Sequence, residues 1–354
     1  MLERITLERR ADASALRSAA TYGVALVVAV ALSLGVMIWA GVPTGALFEE
    51  LIVQVFLTPA GLARTLTQAT PMMLAALAAA LCLRLKFWNI GIEGQLLMGA
   101  IFATTVALYD IGGPIRLPLM LAASALGGAL WIAAPALLRL RFGVSEVIVT
   151  LLLSNVAFLF LQHLLFGPFG DTSHNFPTSP VFDEMEKLVR FGFGDTHAGL
   201  ILAVIAVLAI AVLVHRTRFG FAARFAGDNP RAADALGFET RRVMLISILL
   251  GGAMAGLAGG VIVSGTEHRL TQAVGLNMTF NGIVIAALAG NLPLMIPVVS
   301  FFIAGLSVAS ASLKVFYGVS EGIVLIIQGI ILLTLVTFQF TATYRVTIRG
   351  PEAA

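Results

Sequence analysis

Apolar residues in this chain gather into long blocks, with polar residues confined to the gaps between them. Residues 18–42, 65–83, 117–138 and 243–266 each run without one formal charge. A helix needs about 20 such residues to cross the hydrocarbon core of a bilayer, so the pattern predicts an all-α, polytopic membrane protein. About ten transmembrane helices are expected, at 19–41, 65–83, 92–109, 117–138, 147–166, 198–214, 243–265, 273–290, 295–313 and 322–342. The eighth and ninth share one uncharged run from 270 to 313, which Asn291 and Pro293 are expected to break.

The basic residues orient this array. With the N-terminus inside, the inner segments hold Arg4, Arg9, Arg10, Arg17, Arg84, Lys86, Arg139, Arg141, Arg216, Arg218, Arg224, Arg231, Arg241, Arg242, Arg345 and Arg349. The outer segments hold only Arg64, Arg116, Lys187, Arg190, Arg269 and Lys314. That bias places both termini in the cytoplasm. The expected layout is an inner tail over 1–18, a transmembrane permease domain over 19–343 and an inner tail over 344–354. An inner loop spans 215–242 and an outer one 167–197. The first block is read as a retained span, since its apolar stretch is long for a signal peptide and Glu3 and Glu8 interrupt the basic region before it.

Composition narrows the chemistry. Of 354 residues, 59% are hydrophobic and 12% charged, which leaves no room for a water-soluble catalytic domain between the spans. Cys82 is the single cysteine, so no disulfide forms within the chain and no metal cluster is expected. The net charge of +3 is spread between spans and marks no nucleic-acid surface. A secondary transporter would place an ionisable group at mid-membrane, whereas Glu93, Asp110, Glu146, Glu267 and Glu321 are all predicted at span ends, with Glu93 near the cytoplasmic end. An intramembrane enzyme would need a cluster, and His163, His174, His197, His215 and His268 are scattered.

The inner loop carries a readable helix. Asn229 suits an N-cap, Pro230 the first helical position, and Gly237 the left-handed position that ends a helix after Leu236. Elsewhere, Gly252, Gly256 and Gly260 form two overlapping G-x-x-x-G steps that predict close helix packing.

Residues 87–100, FWNIGIEGQLLMGA, with TLTQATPMMLAALAAAL before them, resemble the signature of bacterial ATP-binding cassette (ABC) importer permeases of the branched-chain amino acid and simple-sugar type, closest to the nucleoside permeases linked to basic membrane proteins. GVSEVIVTLLLSN at 143–155, TRFGFAARFAGDNPRAADALGF at 217–238, GGAMAGLAGG at 251–260 and IIQGIILL at 326–333 agree, in the same order. The resemblance implies a type II-like importer transmembrane domain with no ATPase site, and the chain carries no G-x-x-x-x-G-K-[ST] loop. It implies a cassette ATPase subunit that holds the ATP and Mg, a second permease, identical or related, and an extracytoplasmic substrate-binding protein. The Asn229 helix would then be the coupling helix, with Arg224, Asn229, Pro230, Arg231 and Gly237 at the ATPase contact.

Two groups of span residues are candidates for the pathway. Asn89, Gly91, Glu93, Gly94 and Gln95 place polar and flexible residues together, either as a helix start held by a hydrogen-bond network or as a broken helix that gates the pathway. Asn155, Phe158 and Gln162 share one face of the fifth span at helical spacing, and Asn277 and Asn281 stand one turn apart in the eighth. These offer amides and a ring to a polar, flat solute, or serve as hydrogen-bonding glue between helices.

Overall fold

The computed structural model describes residues 48–173 and 176–318 continuously, together with 5–9, 24, 27–28, 31–41, 320, 322–323, 326–327, 329–330, 333–334, 337–338 and 344–348. Two compact units appear, Val55–Val308 and a second formed by Met1–Gln54 with Ala309–Ala354. In the second, residues 31–39 are helical, and strand β1 (Ile5–Arg9) pairs antiparallel with β2 (Tyr344–Ile348), Leu7 opposite Val346. Parts of the predicted first and tenth spans and of both tails, together with Glu321 and His174, fall outside the described residues.

The larger unit is built from helices. They are α1 (Pro59–Arg84), α2 (Ile92–Leu108), α3 (Arg116–Phe142), α4 (Glu146–Leu165), α5 (Gly199–Arg216), α6 (Arg218–Asp228), α7 (Pro230–Ala235), α8 (Thr240–Val261), α9 (Met278–Leu288) and α10 (Ile296–Tyr317), the last running into the other unit. Six helical segments among the described residues are long and apolar enough to cross a membrane, and α2 and α9 are shorter apolar helices.

Burial sorts these helices. α1 is mostly Ala, Leu and small residues and is covered on every side, with Leu74, Ala76, Leu77 and Ala78 fully buried. α4 and α5 instead show apolar side chains outward, such as Ile201, Ile205, Leu208 and Val212 along one stripe of α5. In water such a stripe would be a liability, but in a bilayer it is the lipid-facing surface.

The glycines on α8 act as expected. A Cβ on Gly256 would overlap the Ser124 backbone of α3, and one on Gly260 would meet the Ser124 side chain. Without side chains there, the helix backbones approach each other directly.

Two expectations need correction. The eighth span is helical only over Met278–Leu288, because Gly275 and Asn277 take left-handed backbone (φ +79° and +62°) and turn the chain before it. The inner loop holds two helices, α6 and α7, where the caps alone pointed to one. The break between eighth and ninth spans falls where it was predicted. Asn291 is left-handed (φ +56°) and Pro293 opens a 3₁₀ turn, Pro293–Met295.

Candidate functional site

The site is reached from the loop between α1 and α2. Asn89 and Gln95 are both buried, and their amides pair reciprocally. Asn89 Nδ2 donates to Gln95 Oε1 at 3.0 Å, and Gln95 Nε2 donates to Asn89 Oδ1 at 2.8 Å. Asn89 Oδ1 also accepts the Gly91 N–H at 3.1 Å. This ring staples the loop to the first turn of α2, so buried amides that would be costly alone are satisfied. Gly91 and Gly94 serve close packing, since a Cβ there would stand 2.8 Å from the Thr150 carbonyl and 2.7 Å from Ser154 Cα. Segment 89–95 is therefore a helix start, with α2 unbroken from Ile92.

The break lies opposite it. Glu93 N–H donates to Thr279 Oγ1 at 2.9 Å, and Thr279 N–H donates back to the Glu93 carboxylate at 3.3 Å. Asn277, two residues earlier, precedes this contact at the turn into α9. Glu93 thus caps the N-terminus of α9.

Its depth corrects the sequence expectation. Gly282 rests on Ala75, where a Cβ would come within 2.9 Å of the carbonyl oxygen. Further along, Arg84 Nε and Nη2 donate to Asn291 O at 3.0 and 2.7 Å. α1 and α9 therefore run side by side in the same direction. At about 1.5 Å per residue, Thr279 lies about 18 Å from the Arg84 end, near the middle of α1. Glu93 stands at mid-depth, not at an end of the bundle.

α4 joins this level through Ser154, whose Oγ accepts the Gly94 N–H at 3.2 Å. Asn155, the next residue, is exposed, and its amide donates to Leu151 O at 3.1 Å. Phe158 is half-buried against the core, and Gln162 is half-buried two turns beyond Asn155. Asn277 is exposed at the start of α9, while Asn281 is buried. The structure thus gathers Glu93 and Asn277, with Asn155 beside the Ser154 contact. Asn281 turns inward and Gln162 is set apart. Thr279 and Ser154 escaped the sequence reading because a lone hydroxyl in an apolar run looks like span filler. Their signal was adjacency, Ser154 to Asn155 and Thr279 to Asn277.

At the Arg84 end, α7 forms as its caps predict. Asn229 Oδ1 accepts the Ala232 N–H at 3.1 Å, and Gly237 has φ +84°. Gly227 lets α6 touch the Arg84 carbonyl, and Lys86 Nζ donates to Asp228 O at 3.2 Å. Pro230, Arg231 and Leu236 are exposed on α7, and Arg224 is exposed on α6. Asp234, Glu239, Thr240, Arg241, Arg242 and Leu245 line an open cleft of about 440 Å³ beside them.

At the opposite end the 167–197 loop is tied down. Arg116 bonds Glu186 at 2.7 Å and Asp110 at 2.8 Å, Leu188 N–H donates to Ser264 O at 2.9 Å, and His197 is buried between Gly199 and Gly265. Among the described residues no cluster of His, Cys, Asp and Glu could hold a metal ion.

A family model described as branched-chain amino acid transport system/permease component matches residues 61–336. The chain is 38% identical over 325 residues to the glucose ABC transporter permease protein TsgB13 of Haloferax volcanii, covering 87% of this chain and 84% of that protein. It is 31% identical to the guanosine ABC transporter permease protein NupP of Bacillus subtilis, with 76% and 79% covered. With the nucleoside ABC transporter permease protein NupB of Lactococcus lactis subsp. cremoris it shares 28%, with 70% and 71% covered. A bundle of membrane-length helices with a polar break at mid-depth and a short capped helix at one end is thus joined to a match over most of its length, and the chain belongs to the branched-chain amino acid transport system/permease component family.

Proposed function

We propose that this chain is the transmembrane permease subunit of an ABC importer and forms the pathway for a small neutral polar solute, a nucleoside or a related base or sugar. The observation that carries the reading is the Glu93–Thr279–Asn277 cluster at mid-depth, beside Ser154 and the exposed Asn155. Polar groups in an apolar bundle mark a solute route more often than a lipid face. Relatives named for glucose, guanosine and nucleosides support a solute recognised through hydroxyls and a flat ring.

In this reading ATP is hydrolysed on a separate cassette subunit, which takes α7 and the cleft beside it. A second permease completes the pathway, and an extracytoplasmic binding protein delivers solute to the 167–197 loop. Both tails are cytoplasmic in the cell membrane. The positive-inside bias supports this orientation, and the pairing of β1 with β2, one from each tail, is in keeping with it.

The test is uptake into vesicles carrying this chain with and without its cassette subunit. ATP-dependent uptake of a nucleoside or sugar that vanishes without the cassette is the expected result. Uptake that needs no cassette and collapses with a protonophore would instead assign an ion-coupled carrier.

A further inference from the structure

α2 is fixed in the bundle. A Cβ on Gly99 would overlap the Gly256 backbone of α8, and one on Gly259 would overlap the Leu96 carbonyl of α2. Backbones in direct contact have no side-chain rotamer through which to adjust, so Glu93, in the first turn of α2, is a rigid reference point.

α9 starts differently, with Gly275 set against the Leu96 side chain and the first close backbone approach at Gly282 beside Ala75. It begins inside the bundle, after left-handed turns at His268, Gly275 and Asn277, and the first N–H groups of any helix lack partners within it. In an apolar interior those groups must be satisfied by protein. Glu93 does this for the Thr279 N–H at 3.3 Å, and Thr279 Oγ1 accepts the Glu93 N–H at 2.9 Å. An anion at a helix N-terminus is also favoured by the helix dipole. As a result Leu276, Asn277 and Phe280 are exposed at this level while Asn281 is buried.

We propose that Glu93 is the positioning residue of the pathway: its carboxylate fixes the start of the half-length helix α9 at mid-depth and so sets where Asn277 meets the passing solute. Glu93 acts through Asn277. The proposal rests on the permease reading for its solute, but the placement of Asn277 can be measured without transport.

The experiment places a cysteine reporter at Asn277 (N277C) in membranes and follows its labelling by a small hydrophilic methanethiosulfonate. Adding Glu93→Ala should change the labelling rate by about tenfold, and Glu93→Gln, which keeps an oxygen acceptor for Thr279, should return it to within about twofold of the parent. With the cassette subunit present, Glu93→Ala on the otherwise native chain should raise KM for a purine nucleoside or glucose probe while ATP hydrolysis persists. If Glu93→Ala does not insert, Glu93→Asp, one methylene shorter, serves the same comparison. Equal labelling rates with and without the carboxylate would overturn the positioning role, and so would equal failure of the Gln and Ala variants. Absence of ATP-driven uptake by the parent would instead overturn the permease reading, with the labelling result still standing.

Discussion

Gly128 of α3 and Gly252 of α8 bring their helices into backbone contact, for a Cβ on Gly128 would fall within the Gly252 carbonyl oxygen. The obstacle is main chain, so no rotamer change relieves it. Gly128→Ala should therefore lower stability by about 1–3 kcal/mol through forced separation of the helices. Thermal denaturation in detergent checks this, with Gly35→Ala as the control, since a Cβ there meets nothing within 4 Å. Equal midpoints for the two variants would refute the seam.

Helix α7 yields a second prediction. Asn229 supplies the side-chain cap of α7, and loss of such a cap costs about 1 kcal/mol of local helix stability. Replacing Asn229, Pro230 and Arg231 with flexible residues should uncouple ATP hydrolysis from uptake while leaving membrane insertion intact. Unchanged uptake in this triple variant would remove α7 from the coupling role. Labelling of a cysteine in this loop from outside intact cells would contradict its cytoplasmic side.

Acid should loosen the 167–197 loop. His197 Nδ1 accepts the Gly199 N–H at 3.2 Å, so a proton there would oppose that donor. Burial first, then the charges of His268 and Arg190, holds its pKa down to about 4. Burial and Arg190 also lower His268, whose Nε2 accepts from Arg190 Nη2 at 2.9 Å while Nδ1 donates to Ser264 O. Lys187 disfavours and Glu184 favours a proton on His268. Because the folded pKa values lie below the unfolded value of about 6.5, this stability is complete above pH 6.5. It is lost as pH falls from there toward 4. For His197 the loss is up to about 3 kcal/mol. Hydrogen-exchange protection over residues 188–200, corrected for the intrinsic slowing of exchange in acid, should fall between pH 7 and 5, and His197→Gln should flatten that profile.

The fifth-span candidates separate in the structure. Asn155 is exposed, and replacing it removes only a local bond to Leu151 O. Asn155→Ala should lower the uptake rate or broaden solute choice with normal protein levels. Phe158 packs partly against the core, so Phe158→Ala should also lose about 1–3 kcal/mol of stability. Competition uptake across nucleosides and sugars, alongside melting curves, distinguishes the two effects. Parental transport of every solute by both variants would take this face out of the pathway.

Several features of this chain are specified by short stretches of residues alone. Block length and charge spacing located α1 to α5, α8 and α10, because the bilayer demands a fixed length of apolar chain. Asn229, Pro230 and Gly237 marked α7 because caps act on their own helix, and Gly252, Gly256 and Gly260 marked a tight seam because glycine on one helical face has little other use. The site, by contrast, arises from contacts between distant segments. Hydropathy reads 273–290 as a continuous span, since Leu276 and Met278 are apolar whether or not the backbone is helical. The break depends on an acceptor supplied by Glu93, which lies 186 positions from Thr279. The same holds for the outer loop, where Arg116 meets Glu186 across 70 positions. Buried polar groups are satisfied by whatever the fold brings near them, and that partnership is written in no local pattern.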